Sequence, residues 1–163
     1  MQRKKNNYAF IDNQNLYQGV QELGWNLSYT KFRVYLNDKY GVKKAYLVIG
    51  RIPGNERMYR SFESAGYHIA YKEILYKEGR LVKGNVDAEL VFHAMLEFPN
   101  YEKAVIVTSD GDFSCLVKYL YQQEKLETII SPCYENCSAL LKRAAREKIA
   151  FIDTLRLKLE YKK

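Results

Sequence analysis

The chain has 163 residues, 47% hydrophobic and 28% charged, enough for one sizeable core without covalent staples, and this excludes a disordered, collagen-like or disulfide-scaffold protein. Lys and Arg number 26 against 19 Asp and Glu, a formal charge of +7, a field that favours polyanions such as nucleic acid. No apolar run approaches the roughly 20 residues that span a bilayer, the opening stretch MQRKKNN lacks a secretory core, and Cys115, Cys133 and Cys137 form an odd set with no paired C-x-x-C spacing. One cytoplasmic domain, 1–163, with reduced thiols and no membrane partner, is expected.

In chain order, residues 8–11 form an apolar run that ends on Asp12-Asn13-Gln14-Asn15, read as a buried strand entering a loop. Residues 30–40 place Phe32, Tyr35, Leu36 and Tyr40 on one helical face, with Gly41 as the stop. A second buried strand is predicted over 45–49. The next helix, 55–65, carries Met58, Tyr59 and Phe62 and stops at Gly66. Residues 67–83 are rich in Tyr, Ile and Lys and broken by Glu78-Gly79, which predicts a hairpin-like excursion. Helices over 86–98 and 113–122 alternate with strands over 104–108 and 126–130. The segment 138–159 is helical in its first half, with a short strand at 150–152. This alternation predicts an α/β protein with a central, mostly parallel sheet covered by helices on both faces.

In such a sheet the ligand site lies beyond the carboxyl ends of the strands, where strand order reverses. Asp12 directly follows the first strand, and Ser109-Asp110-Gly111-Asp112 follows the strand at 104–108. If these strands are neighbours the carboxylates meet, and a divalent cation relieves their repulsion. Asp87 joins them if the helix near Val86 begins at the same edge. All-oxygen ligation suits Mg²⁺ or Mn²⁺. Each acid also has a plain structural reading, Asp12 and the 109–112 segment as a turn or helix cap and Asp87 as a first-turn helix acid.

Three segments, FIDNQNL (10–16), KGNVD (83–87) and VTSDGDF (107–113), together resemble the NYN domain, a PIN-like family, and most closely its LabA-like bacterial branch. The resemblance covers nearly the whole chain. It implies a three-layer α/β/α sandwich with an acidic pocket for Mg²⁺ or Mn²⁺ and ribonuclease activity. Residue by residue, Asp12 matches the acid after the first strand, Asn15 the Asn three positions later, Asp87 the acid of the K-G-x-D type motif, here lengthened by Asn85, and Asp110 and Asp112 the acids of the S-G-D-G-D-F type motif. Ser109 stands where many members carry Gly. Ala145-Arg146 stands where members often have Ala-Asp.

The implied reaction is hydrolysis of RNA phosphodiesters by metal-activated water. Asp12, Asp87, Asp110 and Asp112 are the expected metal ligands and, with Asn15, the catalytic set. Expected substrate contacts are Ser109, Lys83, Arg51, Arg57 and Arg60, with Tyr71, Lys72 and Arg80 in the excursion, where rings and cations interleave as in single-strand binders. The same mixture suits an edge-strand pair that packs its Tyr residues and uses Lys against aggregation. Single-stranded RNA is the expected partner, and a homodimer is a further candidate. The alternative function is a non-catalytic RNA-binding or regulatory protein. A receiver-type phosphoryl switch would need an acceptor Asp and a strand-end Lys, and the strand at 45–49 ends on Gly50-Arg51 instead.

Overall fold

The computed structural model describes residues 3–83 and 86–163. Its centre is β1 (Asn7–Asp12), whose Ala9, Phe10 and Ile11 are wholly buried. Side chains alternate across a strand, so Ala9 and Ile11 enter one core and Phe10 the opposite one. Phe10 lies parallel to Tyr46, ring centres 5.5 Å apart, and burying a side chain of that size contributes roughly 1.5–3 kcal/mol.

The first core is closed by α1 (Asn13–Glu22), α2 (Tyr29–Tyr40), α3 (Glu56–Ser64) and α7 (Arg156–Leu159), through Leu16 and Val20, Phe32 and Leu36, Phe62, and Leu159. The second is closed by α4 (Asp87–Leu96), α5 (Ser114–Gln122) and α6 (Ala139–Ala145), through Leu90, Leu116, Leu120 and Leu141. The result is a three-layer α/β/α sandwich.

Between the layers, β2 (Val42–Arg51), β3 (Tyr67–Glu73), β6 (Ala104–Val107), β7 (Leu126–Ser131) and β8 (Ile149–Phe151) join β1 in the order β3-β2-β1-β6-β7-β8, every pair parallel. From β1 the chain steps outward through β2 to β3. It then crosses to β6 and steps outward the other way. Strand order therefore reverses between β1 and β6, which opens a crevice at their carboxyl ends.

Two expectations differ from this structure. The polar cluster after the first strand is not a loop: α1 starts at Asn13, because the Asp12 carboxylate accepts the Asn15 N–H as a helix cap and Leu16 and Val20, four apart, reach the core. The excursion at 67–83 also divides. Tyr67–Glu73 is β3, the parallel edge strand beside β2, and the antiparallel hairpin comprises only β4 (Leu75–Lys77) and β5 (Arg80–Lys83). Glu78 and Gly79 turn it with φ of 55° and 75°, the two-residue geometry that matches strand twist. Gly41 ends α2 in the left-handed region at φ 64°. No helix among the described residues is long and apolar enough to cross a membrane.

Candidate functional site

Ile11 and Val107 are register partners on β1 and β6, so Asp12 and Thr108 leave the sheet side by side. Thr108 is wholly buried. Its hydroxyl donates to Asp12 Oδ2 (3.2 Å) and accepts the Asp110 N–H (3.2 Å). Asp12 Oδ1 accepts the Asn15 N–H (3.4 Å). One turn further, Asp110 Oδ1 accepts the Asp112 N–H (2.9 Å) and caps the 3-10 turn Gly111–Phe113. The structural readings of Asp12 and Asp110 as caps are thus correct, and they orient the same carboxylates towards the crevice. Gly111 is needed for close approach: a Cβ there would run into Ser138, whose own Cβ would lie 3.1 Å away.

Asp87 opens α4, where the helix dipole favours an acid. One carboxylate oxygen each from Asp87, Asp110 and Asp112 lie within 4.8 Å of one another. Asp87 and Asp110 are half-buried and Asp112 is exposed. The cavity over them, about 260 Å³, is lined by these three, Asp12, and the amides of Gln14, Asn15 and Gln18. Unit charges 4 Å apart repel by about 4 kcal/mol at an effective dielectric near 20. At Asp12, which is 5% exposed, loss of hydration is the larger effect. Burial pushes the Asp12 carboxyl up from 3.8 to about 6, the bonds from Asn15 and Thr108 oppose the rise, and the charges of Asp87 and Asp110 add to it. The donor set, carboxylate oxygens from several aspartates, suits a hard divalent cation.

Asn15 joins the two strand ends. Its Oδ1 accepts both the backbone N–H (2.9 Å) and the hydroxyl (3.0 Å) of Ser109, and Ser109 O accepts the Ser138 N–H (3.0 Å). Asn15 is therefore first a clamp on the turn that carries Asp110. Asn15→Ala removes the acceptor of two half-buried donors and is expected to lower unfolding free energy by roughly 1–3 kcal/mol, read as a lower urea midpoint at unchanged slope. An unchanged midpoint would contradict the clamp.

The expected substrate-binding residues are dispersed. Arg51 ends β2 with its guanidinium 5.3 Å from the Tyr71 ring centre, and Arg57 and Arg60 are exposed on α3. Lys72 is engaged in an ion pair with Glu89 of α4 (2.8 Å). Arg80 is exposed on the hairpin, and the Lys83 side chain lies outside the described residues. Gln14 and Gln18 were not singled out from the sequence. Once α1 is recognised as a helix, their four-residue spacing puts them on one face with Asn15. Arg146, at the departure from the family pattern, stacks over Tyr121 at 5.0 Å and does not line the acidic cavity.

No curated protein matches the chain. Among solved structures, a protein of unknown function from Vibrio parahaemolyticus RIMD 2210633 is similar in fold. It is 21% identical, with a TM-score of 0.78 over 93% of this chain and 95% of the other. The family model for the NYN domain matches residues 8–153, a span that takes in both strand ends and all four aspartates of the crevice. The chain accordingly belongs to the NYN domain family, part of the PIN-like nuclease superfamily.

Proposed function

We propose that the protein is a metal-dependent ribonuclease, in the LabA-like bacterial branch of its family, that hydrolyses phosphodiester bonds of single-stranded RNA at the acidic crevice. The observation that carries this reading is the convergence of Asp87, Asp110 and Asp112 in one cavity with a fourth, buried carboxylate, Asp12, at the point of strand reversal in a PIN-like fold.

Asp87, Asp110 and Asp112 would hold Mg²⁺ or Mn²⁺, with Asp12 beneath them. Bound there, the cation supplies Lewis-acid stabilisation of phosphate charge and lowers the pKa of water towards neutrality. The protein's own contribution is positional. The Thr108 hydroxyl and the Asn15 N–H fix Asp12, and the Asp112 N–H fixes Asp110, so these two carboxylates are oriented before substrate arrives. Gln14 and Gln18 present neutral amides at the mouth, able to donate to phosphate oxygens without adding to the negative charge. Water attacks phosphorus and loses a proton to solvent, the bond from phosphorus to the leaving oxygen breaks, and that oxygen takes a proton from solvent, so the net change is addition of one water across the bond. Arg51, Arg57 and Arg60 are suited to the flanking backbone.

The test is cleavage of end-labelled single-stranded RNA in Mn²⁺ or Mg²⁺. EDTA is expected to stop it, and excess Mn²⁺ to restore it. Cleavage that persists in EDTA would overturn the metal-dependent reading. Binding without cleavage under either metal would transfer the protein to the RNA-binding class.

A further inference from the structure

A second cavity, about 530 Å³, opens beside the acidic one and is walled by rings and apolar side chains, among them Tyr17, Tyr29, Ile52, Met58, Tyr59 and Phe62. Gln14 lines both cavities, so they share a wall. We propose that this aromatic cavity seats an unpaired nucleobase of the RNA strand bound at the acidic crevice, a role that rests on the ribonuclease reading above.

The walls are held in place. The Tyr29 hydroxyl donates to Asn13 Oδ1 (2.6 Å), and the Tyr29 and Phe62 rings pack at 4.6 Å. The Tyr59 hydroxyl accepts the Ile52 N–H (2.8 Å) and donates to Gly50 O (3.3 Å). A preorganised cavity spares the ordering cost of binding. Its open side is apolar as well: Tyr17, Ile52 and Met58 are 54%, 39% and 38% exposed, a cluster with no evident role in holding the fold.

The polar groups select among occupants. The lining includes the side-chain amides of Asn13, Gln14 and Asn55, the donor and acceptor pairs that read the edge of a base. With its Oδ1 engaged by Tyr29, Asn13 has its amide N–H groups to offer. Arg51, Arg57 and Arg60 are exposed and lie next to lining residues in the sequence. Arg51 stacks on Tyr71, whose ring meets Tyr59 edge-on at 5.3 Å. Rings and amide-bearing residues in the lining, with exposed cations on the same elements, match a base attached to a phosphate chain. An apolar peptide would use only the rings, and a paired duplex does not present a base to stack.

The test is the affinity of a fluorescein-labelled single-stranded RNA and of an abasic strand of equal length, by anisotropy in EDTA, for wild type, Tyr17→Ala and Met58→Ala, with folding checked by thermal melts. Wild type is expected to bind the base-bearing strand roughly tenfold more tightly, as base stacking on an aromatic ring warrants, and Tyr17→Ala to lose most of that preference with abasic binding unchanged. Equal affinity of wild type for both strands, or an undiminished preference in both variants, would overturn the proposal. So would variants that alter only self-association in sedimentation, which would assign the cavity to a second copy of the chain. Cleavage is scored separately in Mn²⁺: base preference without cleavage counts against the nuclease reading alone, and cleavage without base preference counts against the cavity alone.

Discussion

Asp110→Asn is expected to reduce Mn²⁺-dependent cleavage of single-stranded RNA on the order of a thousandfold, about 4 kcal/mol of barrier, while the protein stays folded. The amide keeps an oxygen to accept the Asp112 N–H that Asp110 Oδ1 accepts in the native turn, so the cap survives and only the charge is lost. Asp87→Asn should be comparable, since Asp87 shares the same cluster half-buried at the start of α4. Asp112 is exposed, and Asp112→Asn should cost less, roughly 10- to 100-fold, the range seen when groups supporting a metal site are removed. Single-turnover rates on one labelled oligonucleotide provide the comparison. A wild-type rate for Asp110→Asn would remove the cluster from the reaction.

The second large effect is on stability and has the opposite sign. Asp12 is 5% exposed, and its carboxyl is pushed up from 3.8 to about 6 by burial, with Asp87 and Asp110 adding to the rise. Between those two values the folded state holds a proton that the unfolded state has released. Stability of the metal-free protein should therefore fall as pH rises from about 4 to about 6, by an amount on the order of 2–3 kcal/mol from this group, and level off above. Asp12→Asn removes the penalty. In EDTA at pH 7 this variant should melt several degrees above wild type, yet gain little from added Mn²⁺ and cleave poorly. A lower melting temperature for Asp12→Asn at pH 7 would show that the Asp12 charge is already compensated without a cation.

The strands were legible because each buried run is continuously apolar: Ala104, Val105, Ile106 and Val107 have no exposed surface, the pattern of a parallel strand covered on both faces. Helix α1 was harder to see, since it opens with Asn-Gln-Asn and has few apolar residues, and its start is set by a cap bond that local propensity does not reveal. β3 resembled half of a hairpin because it is an edge strand whose exposure partly alternates. Its pairing with β2 is a long-range fact.

At the site, the four aspartates could be named from strand ends and motifs, but their different depths could not. Nothing local distinguishes buried Asp12 from exposed Asp112. Nor does the sequence show that Asn15 spends its oxygen on Ser109, 94 residues away, or that Lys72 is occupied by Glu89. The aromatic cavity is not legible in the sequence for the same reason, since Tyr17, Tyr29 and Tyr59 come from three helices that only the fold brings to one wall.

In the proposed reaction Asp87, Asp110 and Asp112 share a divalent cation. The most direct measurement is a Mn²⁺ titration of the EDTA-stripped, dialysed protein, with free Mn²⁺ read by its electron paramagnetic resonance signal, for wild type and Asp110→Asn. Wild type is expected to bind saturably, with Mg²⁺ competing and with affinity at least tenfold weaker in Asp110→Asn. Equal binding by the two proteins, or no saturable binding by wild type, would contradict the shared cation.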